Sequence, residues 1–192
     1  MAQLLQILDA NKTYKSGNSK VKACQAIRNQ FDKDFVSLMP TNLYGTHDNF
    51  DLNSSHVLPA MIRKFQEAKQ NNHAPVSLWG SGTPMREFLF VDDMAAAVVF
   101  ALENKLPDYL YNVGTGEDLT IKELATTIQK IIDHQGEIIW DATKPDGTPR
   151  KLMDVSKMHA LGWKHQVNLE KGIQMTYDWF LENADRFKEV KM

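Results

Sequence analysis

The chain has 192 residues, 43% of them hydrophobic and 24% charged, with a net charge of −2. That length suffices for one compact core, or a core with a small lobe, and there is no dense Lys/Arg stripe of the kind that tracks a nucleic-acid backbone. The single cysteine, Cys24, excludes an internal disulfide and fits a reducing compartment. No apolar run reaches the roughly 18 residues of a membrane-spanning helix, and the first 20 residues hold no apolar leader stretch. A cytoplasmic protein with no nucleic-acid or membrane partner is expected.

Residues 1–18 open with a short helix or strand and continue as a polar, turn-like stretch. From Ser19 a helix is predicted, because Val21, Cys24, Ile27 and Phe31 recur every three or four positions. Residues 35–39 (FVSLM) form a buried strand that Pro40 ends. The segment 41–55 is a long polar loop, a length often given to binding loops. A helix follows, with Leu58, Met61, Ile62 and Phe65 on one stripe, Pro59 in its first turn, and Ser54 or Ser55 as its cap. Strands are predicted at 75–80 and 86–91. Asp92 or Asp93 caps the next helix, whose apolar side holds Met94, Ala97, Val98 and Ala101.

Residues 109–116 (YLYNVGTG) are a strand running into a glycine turn. Thr120 and Glu123 fit a capping box, opening a helix with Leu124, Ile128, Ile131 and Ile132 inward. A strand is predicted at 137–141 and a loop at 144–151 (KPDGTPRK). Asp154 caps a short helix that Gly162 stops. Asn168 opens the last helix, with Leu169, Ile173, Tyr177 and Phe180 inward, and a polar tail follows. Strands alternate with helices throughout, which defines an α/β chain.

A phosphate-cradling glycine turn of the G-x-G-x-x-G form is not in the sequence. GSGTP (80–84) and GTGED (114–118) carry only G-x-G and read as turns. The histidines show no metal-ligand spacing and there is no H-E-x-x-H, so no metal site is expected. No G-x-S-x-G supports hydrolase chemistry.

Several strings carry a resemblance: MPTNLYG (39–45), HDNF (47–50), SHVLPAMIRKF (55–65), WGSGTPMREFLFVDDMA (79–95), NVGTG (112–116), DATKPDGTPRKLMDV (141–155), LGW (161–163) and YDWFLEN (177–183). On these the chain resembles the GDP-L-fucose synthase family, within the extended short-chain dehydrogenases/reductases. The resemblance implies a remnant of a doubly wound, Rossmann-type parallel sheet plus a smaller α/β nucleotide-sugar-binding domain. It places the remnant of the NADP-binding domain at 1–45 and mainly the substrate domain at 46–192, with a returning Rossmann strand near 109–113. It also implies NADP(H) as cofactor, a GDP-sugar as substrate and a homodimer.

Carried over residue by residue, the resemblance makes His56 the acid/base that moves protons beside the substrate ketone, a task suited to an imidazole. The other reading of His56 is a loop histidine that caps the following helix. Tyr14 stands near the family's reductase tyrosine, but position 18, where that pattern has lysine, is Asn18. Pro40, Thr41, Asn42, Leu43 and His56 fall at the cofactor; the first four also read as a simple strand exit. Lys64, Trp79, Arg86 and Asp146 fall at the substrate. Arg86 has the planar fork suited to phosphate, Trp79 is equally a core residue by type, and Asp146 sits in an ordinary Asp-Gly turn. Arg150 and Lys151 are further candidates.

For the chain by itself two readings are open: the complete epimerisation and reduction, or binding of the sugar nucleotide without turnover. A different nucleotide-sugar epimerase or dehydratase is disfavoured by WGSGTPMREF and KPDGTPRK. Strands 35–39 and 109–113 belong to a sheet normally covered on both faces. The chain is therefore expected to pair with itself, or to cover the open edge with residues 1–30.

Overall fold

The computed structural model describes residues 28–32 and 34–183. Tyr14, Asn18, Cys24 and the polar tail from 184 lie outside the described residues; of the helix expected from Ser19, residues 28–31 are described and are helical.

The elements run β1 (Ser37–Pro40), β2 (Asn42–Tyr44), α1 (Val57–Gln70), β3 (Val76–Trp79), β4 (Met85–Arg86), β5 (Phe88–Phe90), α2 (Val91–Glu103), β6 (Leu110–Val113), β7 (Leu119–Thr120), α3 (Ile121–Ile132), β8 (Ile138–Asp141), β9 (Arg150–Lys151), α4 (Ser156–Ala160) and α5 (Leu169–Asn183). β1 pairs in parallel with β6, β2 with β5, and β3 with β8. Parallel neighbours need a crossover between them, and helices supply it, so the α/β class holds as read. The strand expected to lie buried at 35–39 and to end before Pro40 is instead Ser37–Pro40, half-buried to exposed, with Pro40 paired to Val113. β4 is antiparallel to β7 and parallel to β9.

β5 stands between two hydrophobic clusters. Successive strand residues face opposite ways. Phe88 and Phe90 accordingly join Tyr44, Phe50, Ile62, Phe65, Ile128 and Ile173, while Leu89 joins Ala97, Leu106, Tyr111, Val113, Met158 and Trp163. The predicted α1 stripe is buried throughout, each such side chain contributing about 1.5–3 kcal/mol on leaving water. α3 starts with the expected capping box: Thr120 Oγ1 accepts from the Glu123 N–H at 3.1 Å, and Glu123 Oε2 accepts from the Thr120 N–H at 2.8 Å.

Several local expectations are corrected. The 41–55 loop begins as strand β2, because Asn42–Tyr44 pair with β5. The 86–91 strand is broken at Glu87, whose side chain turns inward, and Val91 already belongs to α2. The 144–151 loop ends in β9, drawn into a ladder by β4. The caps also differ: α1 is capped by His56, α2 by Phe90 and α4 by Val155 in place of Asp154, none with a side-chain bond from the cap residue. Asp93 is instead buried in the first turn of α2, where its carboxylate accepts from the Gln166 and Val167 N–H groups at 2.9 and 3.0 Å. Of the apolar side chains assigned to α2, Ala97 is buried but Val98 is exposed.

Candidate active site

Parallel strands β1 and β6 run out side by side at Pro40 and Val113. In open α/β sheets ligands collect beyond such carboxyl ends. Here the chain is pinned as it leaves. The Thr41 N–H donates to Val113 O at 3.0 Å, and the Thr41 hydroxyl and Asn42 Nδ2 both donate to Glu87 O, at 3.2 and 2.7 Å. Pro40 and Asn42 remain exposed. One cavity of about 440 Å³ is lined by Thr41, Asn42, Leu43, Asp48 and His56 among others. A second, of about 370 Å³, lies on Pro40, Thr41, Asn42, Lys151, Leu152 and Met153.

His56 enters the first cavity from the start of α1. Its carbonyl accepts the Ala60 N–H at 3.1 Å, but its ring makes no capping bond and is exposed. The capping alternative therefore accounts for the backbone of His56 and leaves the imidazole available. Asp48 shares the cavity. Burial raises its carboxyl above the usual carboxylate range, and the Asn49 N–H and the charge of His56 pull it back down. Tyr44, which also lines this cavity, is a core residue: its hydroxyl donates to Leu169 O at 3.4 Å, and burial pushes the phenol far up.

The substrate-side candidates gather around β3 and β4. Trp79 ends β3 with 69% of its surface exposed, so it is not a core residue; the Lys144 ammonium stands 5.5 Å from its ring centre. Lys64 donates to Ser77 O at 3.1 Å. Lys64 and Trp79 line a cavity of about 280 Å³ together with Met61, Leu78 and Ser55. The Ser55 hydroxyl is buried there without a hydrogen-bond partner.

Asp146 is built into a turn. Its carboxylate accepts from the Ser81 N–H at 2.9 Å and from the Ser81 hydroxyl at 2.6 Å. These bonds, the hydroxyl's first, hold its carboxyl below the usual range. Gly80 takes φ +77°, and a Cβ there would collide with Asp146 Oδ1. The chain bends at both G-x-G strings, at Gly80 and Gly82 and at Gly114 and Gly116. Arg86 lies close by: its Nη1 donates to Met85 O at 2.6 Å, and its Nη2 would stand 2.9 Å from a Cβ at Gly147. In the β4–β9 ladder Arg86 faces Lys151. Arg150 is already engaged, with both ends of its fork on Asp118 at 2.6 and 3.0 Å.

Sequence reasoning missed Glu87. It is fully buried between β4 and β5, and its carboxylate accepts the Gly116 and Met153 N–H groups at 2.8 and 3.1 Å. The one signal was a lone acid in an otherwise apolar run. Among the described residues no helix is long and apolar enough to cross a membrane, and no group of three or more His, Cys, Asp or Glu is placed to hold a metal ion.

The core is parallel-stranded α/β with cavities at the β1–β6 strand ends, and residues 10–114 match the model of the NAD dependent epimerase/dehydratase family. The chain belongs to that family. Among curated relatives, the GDP-L-fucose synthase of Escherichia coli (strain K12) is 54% identical over 177 residues, a match covering 88% of this chain and 55% of the relative. The chain spans about half the length of the curated relatives it matches. Among solved structures, a GDP-L-fucose synthetase from Naegleria fowleri is similar at a TM-score of 0.77 and 30% identity, covering 88% of this chain and 52% of that one. A GDP-mannoheptose C4 reductase from Campylobacter jejuni with NADP bound gives 0.73 and 33%, covering 85% and 58%.

Proposed function

We propose that this chain binds a GDP-linked keto sugar and serves the GDP-L-fucose synthase reaction: 3,5-epimerisation and 4-reduction of GDP-4-keto-6-deoxy-D-mannose to GDP-L-fucose. The observation that carries the proposal is the pairing of β4 with β9. It lays WGSGTPMREF beside KPDGTPRK, with Asp146 bonded into the Gly80–Ser81 turn and Arg86 opposite Lys151. Two cations at facing positions suit a diphosphate. The exposed face of Trp79 suits a base or sugar ring, and the unpartnered Ser55 hydroxyl suits a polar ligand group.

In this reading His56 removes a proton from the carbon beside the ketone, leaving an enolate on the sugar; solvent water returns a proton on the opposite face, and His56 gives the proton it took back to solvent. Carbons 3 and 5 both flank the ketone at carbon 4, so one imidazole above that edge serves both. Pro40, Thr41, Asn42 and Leu43, with His56, would hold the nicotinamide end of NADP(H). Their fit is that of a pinned, exposed ridge at the strand ends. NADPH, when bound, supplies the hydride to carbon 4. Tyr14 is the candidate donor of the proton to the new alkoxide and lies outside the described residues.

The division into an NADP-binding remnant (1–45, joined by the strand near 109–113) and a mainly substrate-binding part (46–192) belongs to the same proposal. The β1–β6 pairing supports it. A homodimer belongs to the proposal too, supported by Phe35, just before β1, and Met39, within it, which are 45% and 42% exposed, apolar surface that a second copy would cover. Cytoplasmic residence is proposed with it.

The test is a thermal-shift series with GDP, followed by NADPH absorbance in the presence of the keto sugar. Stabilisation by GDP is expected, since a ligand bound only to the folded form raises its stability. Stabilisation without NADPH consumption supports binding without turnover by the chain alone, and no stabilisation by GDP contradicts the proposal.

A further inference from the structure

We infer that Glu87 is a positioning residue. It ties the strand exit at 41–42 to the segment after β9, and so fixes the spacing of Arg86 and Lys151 around an anionic ligand. The inference rests on the reading of the site as a sugar-nucleotide pocket.

Glu87 has no exposed surface, and among the described residues it makes no ion pair. A buried carboxylate without a counter-charge is costly unless N–H and O–H donors replace water. Here they do. Oε1 accepts the Gly116 N–H at 2.8 Å and the Thr115 hydroxyl at 3.4 Å; Oε2 accepts the Met153 N–H at 3.1 Å. The glycine at 114 lets the carboxylate in, because a Cβ there would collide with Oε1. The backbone carbonyl of the same residue takes the side chains of Thr41 and Asn42.

Three of those partners, Thr41, Asn42 and Met153, line the cavity of about 370 Å³. The strand register explains the consequence. The β4–β9 ladder ends where Arg86 faces Lys151, two like charges that repel with no anion between them. Beyond that rung the backbone pairing stops, and the Glu87 side chain continues it by holding Met153. A carboxylate is suited to this place because it only accepts, and both backbone groups it meets donate. An amide of the same shape would turn a donor toward one of them.

The test compares wild type, E87Q and E87D by GDP and guanosine binding, with hydrogen exchange read by mass spectrometry. E87Q is expected to bind GDP about tenfold more weakly, with guanosine affinity unchanged, because only the phosphates sense the cations. Exchange should rise together in peptides covering 115–116 and 153, which the carboxylate holds, and stay unchanged in α1 and at 41–42, which the backbone carbonyl holds. E87D keeps the charge but is one methylene short, so it should shift the same way; it carries the test if E87Q does not fold. A folded variant whose GDP affinity stays within about twofold of wild type, or falls equally for guanosine, overturns the assignment and leaves Glu87 a structural staple. Absence of GDP binding by the wild type overturns the sugar-nucleotide reading itself, and this assignment with it.

Discussion

The two sides of the candidate site are built differently. Around Arg86 and Asp146 nearly every polar group is tied: Asp146 to Ser81, Arg150 to Asp118, Glu87 to Gly116 and Met153. Around His56 the cavity is lined by Thr41, Asn42, Leu43, Tyr44, Asp48 and Val91 among others, and the imidazole itself has no capping bond. In the proposed reading the first is a preorganised cradle, whose donors and acceptors are fixed before a ligand arrives. The second keeps a titratable ring available beside a partly buried carboxylate. A binding role and a proton-moving role call for this difference.

Substitutions should separate the two sides. The largest effect is expected from His56→Gln, which should slow deuterium exchange at sugar carbons 3 and 5 by roughly 100- to 10,000-fold while GDP affinity stays close to wild type; a parallel loss of affinity would merge the two sides. Next, Arg86→Ala should weaken GDP binding by roughly 100-fold, as expected when one member of a charge-assisted contact is removed. Calorimetric titration reads this directly, and an unchanged affinity would remove Arg86 from the cradle.

Asp146→Asn should weaken GDP by about tenfold through the loss of a charge-assisted bond to Ser81. It also has a pH signature. The folded carboxyl lies below its ordinary value, so its contribution is present above the usual carboxylate range and is lost as pH falls through the depressed value. The acid limb of the melting profile should therefore flatten in the variant, and an identical limb would show that the turn does not depend on the charge. The smallest effect is expected at Trp79→Ala. With 69% of its surface exposed, its loss should barely move the melting temperature yet cost GDP about fivefold in affinity, as loss of a stacking face does.

How much of this was legible depended on the range of the interaction. The α1 stripe and the Thr120–Glu123 box were readable because their partners lie three or four residues apart. β2 was hidden because three residues leave too short a pattern for a period of two. β9 was hidden because its pairing rests on β4, some 65 positions away, and not on its own charged residues. The break at Glu87 had the same cause: only the folded chain shows that an acid in an apolar run meets N–H groups from two distant loops. The strings marking the site were legible by resemblance. Their meeting at the β4–β9 ladder was not, and neither was the engagement of Arg150 by Asp118.

The most direct measurement is a crystal structure of the chain with GDP bound. The account predicts the diphosphate within hydrogen-bonding reach of Arg86, against the turn that Asp146 holds, with the sugar end of the cleft opening toward the His56 ring. Nucleotide bound on another face, with Arg86 free of phosphate, would contradict it.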